Sequence, residues 1–258
     1  MPLSLPILSR VVSIDIGAQA ASSGSPVPKG VCLEEDVHAR CMMGVSRRLE
    51  AIFETLNAHF GDLHWWPGET PFEIIVGAIL TQNTNWNNVA TAIAALKEAG
   101  LLTPRALYDA EDAAVARLIR PSGYYNVKTK RLKAFLVFLH TRYGGDLNAM
   151  FDEDMWTLRQ QLLDIKGIGA ETADSILLYG GAKPVFVVDA YTRRILDRHG
   201  LITPDWSYGE VQSLFMDLLP QNTSLYNQYH ALLVQVGKEF CKKKPLCEAC
   251  PLVSEMTV

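Results

Sequence analysis

The sequence predicts an all-α protein, and two observations carry that reading. From Ser46 onward apolar residues recur three or four positions apart in nearly every stretch long enough to test, the spacing that lines one face of a helix. The breaks between these stretches fall at Pro, Gly and Asn, which end helices. Only Val185-Phe186-Val187-Val188 reads otherwise, and four residues do not separate a short strand from an extended loop.

Taken in order, residues 1–42 are rich in Ser, Pro, Gly and Ala around GAQAASSGSPVPKG, carry no sustained helical period, and are expected to form a flexible tail. A secretory signal is the weaker reading, because Arg10 is the only early basic residue and Asp15 interrupts the apolar stretch. Met42 and Met43 immediately precede the first amphipathic helix, SRRLEAIFETLNAHFG, and the native start is expected there. Further helices are expected over 72–80, 89–96, 107–119, 128–139 and 155–163. Next comes a Gly-Ile-Gly turn. Leu162, Leu163 and Ile165 before it, and Ala173, Ile176 and Leu177 after it, keep helical spacing and predict two packed helices. Gly167 and Gly169 lack a Cβ, so they can take up positive φ and let backbone N–H groups approach another molecule closely. At the start of a helix from Ala170 the natural ligand of such groups is a phosphate oxygen. A plain helix–helix turn is the alternative. Asp189 follows the apolar run and precedes an Ala-Tyr-Thr-Arg-Arg-Ile helix, which makes it a good N-cap. Capping and catalysis are compatible, since both need a carboxylate that is held still.

The 258 residues suit one large or two small domains, and 48% apolar with 20% charged residues is a globular composition. No apolar run approaches the roughly 18 residues of a membrane span. Five cysteines, of which Cys241, Cys247 and Cys250 cluster late in the chain, fit a metal site in a reducing compartment better than a disulfide framework. A net charge of −4 argues mildly against indiscriminate polyanion binding. Local clusters at Arg120, Lys128, Lys130, Arg131 and Lys133, at Arg193, Arg194 and Arg198, and at Lys242, Lys243 and Lys244 would form a basic stripe if the fold brought them to one face.

The Gly167-Ile168-Gly169 hairpin, the later Gly180, Gly181 and Pro184, and Asp189 together resemble the helix-hairpin-helix DNA glycosylases of the endonuclease III superfamily. The resemblance covers about Trp65 to Pro251. It implies an all-α fold of two helical domains with a central cleft for DNA. Residues 71–183 would form a six-helix domain ending in the hairpin, and 43–70 would join 184–258 in the domain with the cysteines. It also implies base excision repair, with Asp189 as the catalytic carboxylate that stabilises positive charge on the sugar as the base leaves. The base must leave the stack, and Gln82, in ILTQNTNWNNV, would fill the gap. Lys166, Gly167, Ile168, Gly169, Ala170, Thr172 and Arg193 would hold the DNA. Bifunctional members carry a lysine where this chain has Glu171, and a carboxylate cannot form the Schiff base that nicks the strand. The resemblance therefore implies a monofunctional glycosylase, with a bifunctional lyase and a non-catalytic DNA-binding module as the rivals.

HWWPGETPFE at 64–73 and RPSGYYNVKTKRL at 120–132 are similar to the branch named 3-methyladenine DNA glycosylase III. That similarity implies alkylated purines as substrates, received among Trp65, Trp66, Phe72 and Trp86, whose electron-rich faces suit a cationic ring. Iron–sulfur members of the superfamily end in four cysteines. Cys241, Cys247 and Cys250 match the first three, and Met256, a far weaker ligand, stands at the fourth. A [4Fe–4S] cluster with an incomplete ligand set is expected, with a three-iron form, zinc or bare thiols as the alternatives. The expected partner is double-stranded DNA carrying a damaged base, and the expected protein is a cytoplasmic monomer.

Overall fold

The computed structural model describes residues 34–65 and 68–255, with side chains from Met42 onward. Among these residues the regular structure is wholly helical. The helices are α1 (Glu34–Phe60), α2 (Pro71–Leu80), α3 (Trp86–Glu98), α4 (Pro104–Asp109), α5 (Asp112–Leu118), α6 (Tyr125–Tyr143), α7 (Leu147–Phe151), α8 (Met155–Leu163), α9 (Ala170–Ser175), α10 (Ala190–Arg198), α11 (Tyr208–Leu218) and α12 (Thr223–Glu239). Local chemistry sets their starts. Thr70, Asn85, Thr103, Asp146, Asp154, Asp189 and Ser207 each cap the following helix by accepting a backbone N–H, with proline opening α2 and α4.

The chain divides into two compact units. One holds the described residues through Asp62, Val188–Pro220 and those from Leu232; the other holds Leu63–Val187 and Gln221–Ala231. In the first unit α1 buries Val45, Leu49, Ile52 and Leu56, and the same core takes Ile195 and Leu196 of α10, Phe215 of α11, Val236 of α12 and Leu252. In the second, α2 lies almost wholly inside the core, with Ile75, Val76, Ile79 and Leu80 buried against residues of α3, α6 and the turn after α9.

Several expectations are corrected. The boundaries fall at 62/63 and 187/188, and residues 221–231 group with the second unit. Tyr226 and Tyr229 set their rings edge-on to Phe186 at 5.5 and 6.0 Å, which holds that segment there. Residues 1–33 lie outside the described residues, whereas Glu34 to Met42, expected in the tail, already belong to α1. The single helix expected over 107–119 is broken into α4 and α5, and the Lys133 ammonium closes the break by donating to the carbonyls of Leu107 (2.9 Å), Tyr108 (2.9 Å) and Ala110. Val185 to Val188 are buried but irregular rather than a strand.

Candidate active site

The hairpin is built from α8, the turn Ile165–Gly169 and α9. Ile165 and Ile168 point inward and are buried, while Lys166, Gly167 and Gly169 stay exposed. The Ile168 N–H donates to the Ile165 carbonyl at 3.0 Å and closes the turn. Gly167 has φ +96°, and a Cβ there would lie 2.6 Å from Cγ of Arg131, so glycine is required twice over. Gly169 differs from expectation. Its φ of −95° and ψ of 178° are ordinary extended backbone and a Cβ would meet open space, so its conformation does not demand glycine. Gly169 is the N-cap of α9 and offers no side-chain cap to the first N–H groups. Glu171 is exposed on the first turn of α9. Below the turn, Arg159 grips the fully buried Asp174 with two bonds, Nε to Oδ1 at 2.6 Å and Nη2 to Oδ2 at 3.0 Å, pinning α8 to α9.

Gln82 sits in the loop after α2 and is tied to this hairpin. Its Nε2 donates to the Gly167 carbonyl at 3.2 Å and to Thr172 Oγ1 at 2.8 Å, and its Oε1 accepts from Nη1 of Arg131. A second loop joins through Lys128, whose buried ammonium donates to the carbonyls of Leu80 (2.8 Å) and Ser122 (2.6 Å). Burial, helped by the neighbouring Arg131 charge, lowers its pKa. Gly123 and Tyr124 then take left-handed conformations at φ +70° and +44°, and Tyr124 is 73% exposed. An exposed tyrosine in a strained conformation, joined through one lysine to the Gln82 loop, is a functional candidate that the sequence reading passed over. The available signal was the SGYYN run, read above only as part of a family likeness.

In the other unit Asp189 heads α10. Its Oδ1 accepts the Thr192 N–H at 2.7 Å, and the side chain is half-buried. The helix behind it is held close to α12, because a Cβ on Gly237 would lie 2.4 Å from the Tyr191 ring. Arg193 donates to the carbonyls of Pro204 and Trp206, so the residue expected on DNA braces a loop of its own unit. The other basic clusters are spent similarly. Lys128, Arg131 and Lys133 are engaged as described, Arg194 donates to Cys241 O (2.8 Å) and Gly237 O (3.2 Å), and Arg198 donates to Lys242 O (2.7 Å) and Lys243 O (3.4 Å). Arg120, Lys130, Lys166 and Lys242 to Lys244 remain exposed.

Of the expected aromatic pocket, Trp65 and Trp86 are half-buried, Phe72 lies in the core at 4% exposure, and Trp66 is outside the described residues. Phe72 thus packs with its own helix bundle rather than on an open wall.

Cys241, Cys247 and Cys250 line one small cavity with Ile195, Arg198, His199, Val236, Phe240 and Leu252 among its walls. Nη1 of Arg198 donates to Cys241 Sγ at 3.1 Å. Burial pushes the Cys250 thiol up, and the neighbouring Cys241 and Cys247 push it further. Three thiols and a guanidinium aimed at one of the sulfurs share this cavity, a donor chemistry of the kind that thiolate-bound groups use. Met256, expected near the fourth, lies outside the described residues, and among the described residues no three His, Cys, Asp or Glu side chains converge to hold a metal ion. No described helix is long and apolar enough to cross a membrane.

A hairpin with exposed glycines, a glutamine bonded to it and a capped aspartate on a separate helical unit define the helix-hairpin-helix class of DNA-processing proteins. Residues 76–221 match the family described as HhH-GPD superfamily base excision DNA repair protein, and the chain belongs to that family. It is 46% identical over 202 residues to a protein of Methanocaldococcus jannaschii named "Putative DNA repair glycosylase", covering 78% of this chain and 92% of that one. It is 31% identical over 184 residues to endonuclease III of Thermotoga maritima, covering 70% and 79%. The crystal structure of the H. pylori 3-methyladenine DNA glycosylase bound to 1,N6-ethenoadenine superimposes with a TM-score of 0.66 at 30% identity, covering 76% of this chain and 97% of that one. The chain is a DNA glycosylase of base excision repair.

Proposed function

We propose that this glycosylase is monofunctional, hydrolysing the N-glycosidic bond of a flipped, damaged purine and leaving the abasic strand intact. The observation that carries the reading is Glu171. An exposed carboxylate on the first turn of α9 stands where strand cleavage would need an amine. Asp189 is the catalytic carboxylate. Its N-cap bond fixes the side chain, and its negative charge stabilises the sugar as the base departs. Backbone N–H groups of Gly167, Gly169 and Ala170, with Lys166 and Thr172 beside them, take DNA phosphates, and Ile168 holds the turn that presents them. Gln82 fills the space of the extruded base, and the exposed ring of Tyr124 stacks against the disturbed pair. Trp65 and Trp86 stack on the extruded base. Alkylated purine is the favoured class, by kinship with the H. pylori enzyme.

Cys241, Cys247 and Cys250, with the fourth position at Met256, would hold an iron–sulfur cluster. When bound, such a group supplies a rigid cross-link of the C-terminal loop. The test of the function is single-turnover base release from duplexes that each carry one defined lesion. We expect release of an alkylated purine without strand scission before alkali, and strand scission by the protein itself would replace this reading with the lyase. The active species is expected to be a monomer by light scattering.

A further inference from the structure

Gln82 is held in a state in which its amide donors and its carbonyl are already engaged within the protein. A primary amide has two N–H donors and one carbonyl. Both donor contacts run to the hairpin, at Gly167 O (3.2 Å) and Thr172 Oγ1 (2.8 Å), and the carbonyl accepts from the Arg131 guanidinium. Arg131 is not a swinging surface cation. Its side chain is half-buried and lies on Gly167, so closely that a Cβ there would be 2.6 Å from Cγ and 2.8 Å from Nε. The backbone under Gln82 is fixed too, because Lys128 holds the Leu80 carbonyl. The freedom that remains is in the Gln82 side chain.

We propose that Arg131 is a positioning residue that latches Gln82 onto the hairpin while the protein is off damaged DNA, so that Gln82 enters a duplex only by exchanging these hydrogen bonds for those of an orphaned base. This rests on the reading that Gln82 fills the gap. A latch of this kind keeps the amide out of an intact duplex, which offers nothing in return for the bonds it would give up, and it taxes entry into a duplex with an empty position, where an unpaired base repays only part of them. The charged bond from Arg131 is the strongest of the three, since hydrogen bonds to an ionised group exceed neutral ones.

The test is the ratio of dissociation constants for an undamaged duplex and the same duplex with one tetrahydrofuran abasic site, at fixed salt. Any contact of residue 131 with phosphate affects both duplexes and cancels in the ratio. Arg131→Met keeps the methylenes on Gly167 and removes the donor, and should raise the preference for the abasic duplex by about tenfold, the worth of one hydrogen bond to a charged group. Arg131→Lys retains a donor and should stay within about twofold of the parent. Gln82→Ala should lower the preference, and in Arg131→Met/Gln82→Ala the gain should vanish, because the latch acts only through the amide. Should Arg131→Met fail to fold, Thr172→Val removes one acceptor without touching charge and should raise the preference several-fold. If Gln82→Ala lowers the preference while Arg131→Met and Thr172→Val leave it unchanged or lower it, the latch is wrong and the role of Gln82 stands. If Gln82→Ala leaves the preference unchanged, the gap-filling role and the latch fall together.

Discussion

The hairpin and the cysteine loop are both tight, exposed segments held by arginines, yet they are built to different ends. The hairpin closes on itself. Ile165 and Ile168 anchor it in the core, Arg159 and Asp174 pin its helices, and Arg131 packs on its one left-handed glycine. The cysteine loop is anchored at its two ends, by the buried Cys241 and Leu252. Arg194 and Arg198 of α10 hold its backbone carbonyls, while Leu246 and Val253 are about half exposed at 51% and 50% and the three thiols surround a cavity. A turn of the first kind is packed and closed as it stands, whereas the second borders a cavity lined by thiols. Helix α10 carries the capping Asp189 at its start and, further along, the arginines that hold that loop.

The largest expected effect separates the chemistry on α10 from the grip of the hairpin. Asp189→Asn should reduce single-turnover base release by about 10²-fold or more, the scale on which charge-stabilising groups act. Asparagine caps a helix as well as aspartate does, so folding and DNA affinity should hold. Near-normal release by the Asn variant would remove Asp189 from the catalytic role.

Next in size is the contrast between the two hairpin glycines. Gly167→Ala forces a Cβ into left-handed backbone and against Arg131, and should cost about 1–3 kcal/mol in thermal or urea unfolding. Gly169→Ala meets neither obstacle and should cost less than about 1 kcal/mol, the penalty of a poor N-cap. If both unfold alike, the hairpin is not held by the glycine that Arg131 covers. If Gly169→Ala keeps stability but weakens binding to all sequences alike, close phosphate approach is what glycine serves there.

For the cysteine loop the effect should be local. The purified protein should be brown, absorbing at roughly 400 nm, and Cys247→Ser should bleach it. Amide exchange should then speed up over residues 241–255 and leave the hairpin amides unchanged, as expected if only one of the two segments is completed by a bound group. Colourless, iron-free protein from anaerobic preparation would leave the loop to zinc or to bare thiols.

Much of this was legible in the sequence, for identifiable reasons. Helical periodicity is a local property, so α2, α3, α6, α8 and the hairpin were found from spacing alone. The Asp189 cap was visible because a capping residue acts three positions away in the chain. The basic residues misled, because a run of lysines and arginines looks the same whether it faces solvent or caps carbonyls, and Lys128, Lys133, Arg193 and Arg194 do the latter. Arg131 meets Gln82 across 49 positions and Gly167 across 36 more, and no local pattern announces a contact of that range. The two glycines of the turn look alike in sequence and differ in the structure because only Gly167 bears the change of chain direction in its φ.

The smallest expected effect is an absence, and it tests what the hairpin's first helical turn is for. Incubation of the protein with abasic duplex and borohydride should trap no covalent adduct. Trapping reduces a Schiff base, which needs an amine within reach of the sugar aldehyde, and the α9 position from which lyases attack holds the Glu171 carboxylate. Lys166, five positions earlier and exposed just before Gly167, is the amine in the turn itself. Glu171→Lys restores an amine at the start of α9 and should yield a trappable adduct that maps to position 171. An adduct from the parent protein, mapped by peptide sequencing to Lys166, would mean that the hairpin reacts with the sugar as well as gripping the backbone. The division between a gripping unit and a chemical one would then have to be given up.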